Sequence, residues 1–111
     1  MLLRHHSEVA PVTYGDEAKG VEMRPLITEQ EGAPTFALRL FTLAPGGHTP
    51  LHQHPWEHEV YVLAGSGSVH GAEGERPLRV GDAVFIGPGE LHQFRSQAGM
   101  QFICCIPHPP R

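Results

Sequence analysis

The sequence predicts an all-β domain, a sandwich or a barrel with a jelly roll among the options. Three observations predict it. Runs of β-branched and aromatic residues recur roughly every 8–12 residues. Gly and Pro, 13 and 11 of the 111 residues, sit between those runs and are heavy for a helical protein. No stretch carries the apolar period of an amphipathic helix. A chain of this length fits one domain and buries a core without disulfide staples.

Each element follows in order. The first 20 residues are mixed and polar, end in Gly20, and read as an N-terminal arm. Residues 21–111 read as the barrel domain. Val21 to Thr28 is a strand that Pro25 demotes to an edge or a bulge. Glu31-Gly32-Ala33-Pro34 is a turn. Thr35 to Leu43 is apolar on both alternating sets except for Arg39, which predicts burial on two faces. Pro45-Gly46-Gly47 is a turn. Leu51 to His54 is a short strand broken by Pro55. Glu59 to Leu63 is β-branched and aromatic, hence a strand. Gly65-Ser66-Gly67 reads as a hairpin closure, and Gly71 to Gly74 as a second turn. Leu78 to Val80 and Ala83 to Ile86 flank Gly81-Asp82. Gly87-Pro88-Gly89 is a tight turn. His92 to Arg95 and Gln101 to Ile106 complete the sheet, and the Pro-rich tail is exposed.

Composition excludes several function classes. The net charge is −4, so the basic footprint of nucleic-acid binding is missing. No apolar run reaches the length of a membrane span. Met1 to His6 has no long apolar segment, so no signal peptide is expected. The only Cys residues are adjacent, Cys104 and Cys105. That spacing makes no disulfide framework and points to a reducing, cytoplasmic setting. Asn is absent and Lys19 is the sole Lys, a composition compatible with a thermophilic source or a biased genome.

The nine His outnumber the eight Lys and Arg. Imidazole is the side chain most suited to metal ligation and to proton chemistry near neutral pH. His52 and His54 are two apart, so a strand presents both rings on one face. His58 has the same parity, although Pro55 is able to shift the register. His92 follows a turn and opens a strand. Four such imidazoles aimed into one barrel make a transition-metal site. His48 shares the parity of His52 and is a supporting residue for the site. His5, His6, His70 and His108 sit in arm, turn or tail contexts and read as ordinary polar residues.

Two spaced motifs run through these residues. Gly46 is followed by five residues, His52-Gln53-His54, three residues, His58, six residues and Gly65. Gly81 is followed by five residues, Gly87-Pro88-Gly89, two residues, His92, three residues and Ser96. In both spacing and residues the chain resembles the cupins. That resemblance implies a single-domain double-stranded antiparallel β-helix, a jelly-roll barrel. Three positions depart from the family pattern. His58 stands where an acid is usual, Gly87 where Pro is usual, and Ser96 where Asn is usual. Glu59 competes for the acid's role. His58 keeps the spacing to Gly65 and the parity of His54, whereas Glu59 breaks both.

The run His52-Gln53-His54-Pro55-Trp56-Glu57-His58-Glu59 is similar to the small four-histidine manganese cupins of thermophilic bacteria. The resemblance implies one divalent metal per chain, manganese favoured, with iron, nickel, copper or zinc suited to the same donors. It further implies dioxygenase-like chemistry on a small organic substrate, including oxidative alkene cleavage, and a homodimer in which the arm pairs with the partner. Non-catalytic binding of a small ligand, and sugar or keto-acid isomerisation, are the alternatives. By resemblance, Phe102, Cys104 and Ile106 face inward. Cys104 then lines the pocket as a small hydrophobe, and no catalytic nucleophile is expected. Arg39 is either an outward ion-pair partner or a carboxylate clamp. Trp56 is a pocket wall or core residue. Glu57 and Glu59 are candidate acceptors for His Nδ1–H groups. Four neutral imidazoles leave a divalent metal at about +2, where a carboxylate ligand would lower it to about +1.

Overall fold

The β-branched runs become strands, and the long ones run further than their local sequence suggests. The computed structural model describes residues 1–108. The tail from Pro109 onward, expected to be exposed, lies outside the described residues. Eight strands form: β1 (Val12–Thr13), β2 (Lys19–Ile27), β3 (Phe36–His48), β4 (His58–Gly71), β5 (Gly74–Arg79), β6 (Ala83–Ile86), β7 (His92–Arg95) and β8 (Met100–Pro107). All pairings are antiparallel. Both β7 and β8 pair with β3 and with β4, so β3–β8–β4–β7 closes a barrel. β2 covers β3, while β5 and β6 flank the two halves of β4. This is the all-β jelly-roll barrel the sequence predicts.

Closure depends on two long strands that change partners midway. Residues 59–65 of β4 pair with β8, and residues 68–71 pair with β7. The bend falls at Gly65, with φ +75°. A Cβ there would lie 2.1 Å from the Gly99 carbonyl oxygen. The hairpin expected at Gly65-Ser66-Gly67 therefore does not form. Glycine here permits close strand approach, not chain reversal. The turn expected at Pro45-Gly46-Gly47 is likewise a bulge inside β3. Val21 faces Leu43 and Lys19 faces His48, so Gly20 alone opposes Ala44 to Gly47. The strand expected at Leu51–His54 shrinks to a single bridge, His52 with His92. Pro50 and Pro55 remove backbone donors on either side.

Alternation fills the barrel. Phe102, Cys104 and Ile106 of β8 are buried, whereas Ile103 and Cys105 between them are half-exposed. Phe41, Leu43, Val60, Val62 and Phe94 join them in one cluster. The N-terminal arm folds onto its own barrel. His6–Glu8 makes a short 3-10 turn, and Arg24 donates to the carbonyls of His6 and Val9. Val9 and Leu40 are each buried outside the main cluster.

Gly65→Ala should destabilise the fold by roughly 3 kcal/mol or more, because it combines a left-handed backbone with a backbone collision. Gly74→Ala, also at positive φ but in open space, should lose about 1–2 kcal/mol. Chemical denaturation of the two variants checks the order. Equal losses would remove the barrel-closing role assigned to Gly65.

Candidate metal centre

Residues 49–57 carry two prolines and form no strand, yet they are held firmly along β7. Thr49 N–H donates to the Phe94 carbonyl at 2.9 Å, and Phe94 N–H returns to Thr49 Oγ1 at 2.9 Å. His52 N–H donates to the His92 carbonyl at 3.1 Å, and His92 N–H to the His52 carbonyl at 2.9 Å. Gly89 N–H donates to the His54 carbonyl at 2.6 Å. β4 then starts at His58 with its side chain inward. A broken segment, a short strand and a strand start thus point four imidazoles at one place.

The ligand atoms of His52, His54 and His92 lie within 4.8 Å of one another. The His58 ring sits 4.8 Å from His92 and 5.2 Å from His54, centroid to centroid. It lies outside that tighter trio, but its Nε2 is buried without a hydrogen-bond partner. A buried imidazole nitrogen facing three others suits a cation at their centre. The His92 Nδ1–H donates to the Glu90 carbonyl at 2.9 Å. A carbonyl only accepts, so this bond leaves Nε2 of His92 free to ligate.

Burial sets the charge state of the cluster. Desolvation is the largest cause of every shift, and the neighbouring imidazoles and Arg39 add to it at His52, His54 and His58. Together they push His52 down to about 4 and His58 down to about 3. Desolvation and His92 lower His54 as well. His92 is lowered too, against the opposing pull of the Glu90 carbonyl. All four imidazoles are thus neutral at pH 7, the form a metal requires.

A cavity of about 20 Å³ opens beside the histidines, lined by Tyr14, Arg39, Phe41, Thr49, His52, His58, His92, Phe94, Phe102 and Cys104. It holds one water-sized group. A separate groove of about 690 Å³ lies along Ser66, Ser68, His70, Glu75 and Arg95 and contains none of the clustered histidines. The small cavity is the one that adjoins the histidine cluster.

A cupin domain model matches residues 39–105. The chain belongs to the cupin family. It is 31% identical to an oxalate-binding protein of Thermotoga maritima over 109 residues, 90% of this chain and 88% of that one. It is 34% identical over 74 residues to 1-methylthio-D-xylulose 5-phosphate methylsulfurylase of Rhodospirillum rubrum, and spans about half of that protein (47%). Among solved structures, a polyketide cyclase of Streptomyces resistomycificus superposes with TM-score 0.91 and 35% identity, over 99% of this chain and 82% of that one. A predicted oxalate decarboxylase of T. maritima superposes with TM-score 0.82 and 28% identity, over 96% and 98% of the two chains. Among the described residues of this cupin, no helix is long and apolar enough to cross a membrane.

Of the pocket residues expected from sequence, Arg39, Phe102 and Cys104 line the cavity. Arg39 points inward, with its guanidinium 5.0 Å from the Phe41 ring and no ion pair among the described residues. Trp56 stacks flat on His54 at 4.7 Å and braces it from behind, outside the cavity lining. His48 does not support the cluster; its Nδ1 bonds the Thr49 carbonyl at 3.1 Å. Glu57 and Glu59 are exposed, and Glu59 lies on the outer face opposite Cys105. Neither accepts from a histidine. The Glu90 carbonyl takes that place at His92, and the Cys104 sulfur lies 3.5 Å from His58 Nδ1. Sequence reasoning missed Tyr14, Phe41, Thr49 and Phe94. Phe41 shares parity with Arg39 and was legible on that signal, whereas Tyr14 arrives from the arm and carried none.

The lowered imidazoles set a pH dependence for the metal-free protein. Unfolded imidazoles take up protons near 6.5, but folded His52 does so only near 4 and His58 only near 3. The unfolded state therefore binds more protons in that window. The melting temperature should hold above about pH 6.5 and fall as pH drops towards 4. Scanning calorimetry of metal-free protein tests this, and replacing His52 and His58 together by Gln should flatten the dependence.

Proposed function

We propose that this cupin binds one divalent transition metal per chain on His52, His54, His58 and His92, with manganese favoured. We further propose that it acts as a dioxygenase-like oxidoreductase on a small anionic or enol-bearing molecule. One observation carries the proposal. Among the described residues lining the cavity stand neutral imidazoles and the Arg39 guanidinium, and none is Asp or Glu. A divalent ion added there brings the local charge to about +3. Only an anion from outside the chain neutralises it.

Bound metal supplies Lewis acidity and a redox-capable ion. The chain's own residues do the rest. Arg39 has a buried Nε without a partner and offers a fork to a carboxylate or enolate oxygen. Phe41, Phe94 and Phe102 pack ring on ring at 4.7–5.1 Å and exclude water, which strengthens that charge interaction. Tyr14 packs edge-on against Phe41 at 4.9 Å and closes the cavity from the arm, so an organic substrate enters by displacing it. In the oxidative cleavage proposed, one O₂ and one C=C bond yield two carbonyl groups, and no external reductant is required.

A second form of the proposal is capture of a small acid without turnover. The water-sized cavity and the relative from T. maritima, an oxalate-binding protein, favour it. Isomerisation has less support, because no carboxylate stands in the cavity to shuttle a proton. A cytoplasmic homodimer accompanies the proposal. Tyr61, Leu63 and Phe85 expose apolar surface on the outer face of β4 and β6, a face of the kind a second copy covers.

The wild type should hold about one metal per chain by elemental analysis. Retention of metal with an unchanged spectrum in His58→Ala, with loss in Glu59→Ala, would overturn the ligand set. Arg39→Met should keep the metal but weaken oxalate binding by about 10- to 100-fold. Oxygen uptake with small enols and aryl alkenes separates the catalytic form from the binding form.

A further inference from the structure

His58 is a buried member of the cluster whose polar contacts are not yet accounted for. Its side chain is 5% exposed and its Nε2 has no partner. Its Nδ1 faces a single polar atom, the Cys104 sulfur, at 3.5 Å. That sulfur already accepts a hydrogen bond from Arg39 Nη2 at 3.3 Å. Cys104 is 2% exposed. Its sulfur has two lone pairs to offer.

The geometry points to Cys104 as the positioning residue that fixes the tautomer of His58 and so prepares its Nε2 for the metal. This inference rests on His58 being a ligand. An imidazole ligates through one nitrogen only when the other carries the proton, and that proton needs an acceptor. Metal-bound histidines ordinarily give it to a carboxylate or a carbonyl, as His92 does to Glu90. At His58 sulfur takes that place. Arg39 occupies one lone pair of the sulfur with an N–H, and the second lone pair faces His58 Nδ1–H. The guanidinium also polarises the sulfur and holds its side chain in place. Cys105, the adjacent thiol, lies on the other face of β8 and has no such contact with a histidine.

The experiment is ¹⁵N NMR of the histidines in metal-free and zinc-loaded protein, for wild type, Cys104→Ala, Cys104→Ser and Cys105→Ala. His58 in metal-free wild type should carry its proton on Nδ1. Cys104→Ala should move the proton to Nε2 and weaken zinc binding by about 10- to 100-fold. Cys104→Ser should restore the Nδ1 tautomer at least in part, because a hydroxyl also accepts. Cys105→Ala should match wild type. A wild-type His58 protonated on Nε2 would overturn the inference, as would a Cys104→Ala protein with unchanged tautomer and unchanged affinity. The metal reading fails separately. In that case zinc leaves the His58 signals untouched while the metal-free tautomer still follows residue 104. Thermal melting of each variant confirms a folded barrel before the comparison.

Discussion

The functional end of this barrel hangs on one reciprocal pair of backbone hydrogen bonds, between His52 and His92. The segment carrying His52 and His54 has Pro50 at one end and Pro55 at the other, so it cannot join the sheet as a full strand. A single bridge is what remains, and hydrogen bonds from Thr49 to Phe94 and from Gly89 to His54 hold the chain on either side of it. It sets His52 beside His92 with their rings 4.7 Å apart. The two-residue spacing then brings His54 to 4.3 Å from His52. The prolines help by making the segment stiff. A flexible loop would lose more entropy on being pinned by so few bonds.

Given that bridge, the electrostatics follow from burial. Imidazole tolerates burial because it discharges at modest cost, whereas a carboxylate would hold its charge or demand a partner. The barrel interior around the cluster is aromatic, and among the described residues lining the cavity the one fixed charge is Arg39. Arg39 is held by sulfur and by the face of Phe41, not by an acid. Its charge is therefore not spent on the protein. The same positive charge that disfavours protonated imidazoles favours an arriving anion. Discharge of the histidines and affinity for anions are two consequences of one arrangement.

What the sequence made legible depends on how local the deciding interaction is. Ala83–Ile86 and His92–Arg95 were read to the residue, because Gly-Asp and Gly-Pro-Gly bound them on either side. The long strands were read as broken. Gly46 and Gly65 look like chain reversals, but pairing with distant strands on either side, β2 at one and β8 then β7 at the other, carries the chain onward through a bulge and a bend. Parity put His58 inward and Glu59 outward, since strand alternation is local once β4 begins. The supporting residues were not legible. Glu57 and Glu59 looked close enough in sequence to serve the histidines, yet alternation and the chain path leave both exposed. Tyr14 reached the cavity by a fold-back that Arg24 and Val9 stabilise, and no local pattern encodes that.

The groups behind the clustered imidazoles are also short of negative charge. A carboxylate behind a ligating histidine raises its basicity and damps the charge of the metal it holds. Three acidic residues stand within a few positions of the four clustered histidines, Glu57, Glu59 and Glu90, and all three are exposed. Glu90 contributes a backbone carbonyl to His92 while its carboxylate accepts from Gly87 N–H at 2.9 Å. Cys104 contributes a sulfur to His58. Neither group is a carboxylate, so neither passes a full negative charge through its ring. The replacement of an acid by His58 is thus not an isolated change. The clustered imidazoles, the groups behind them and the cavity wall all withhold negative charge, so on the function proposed above an arriving anion would bring it.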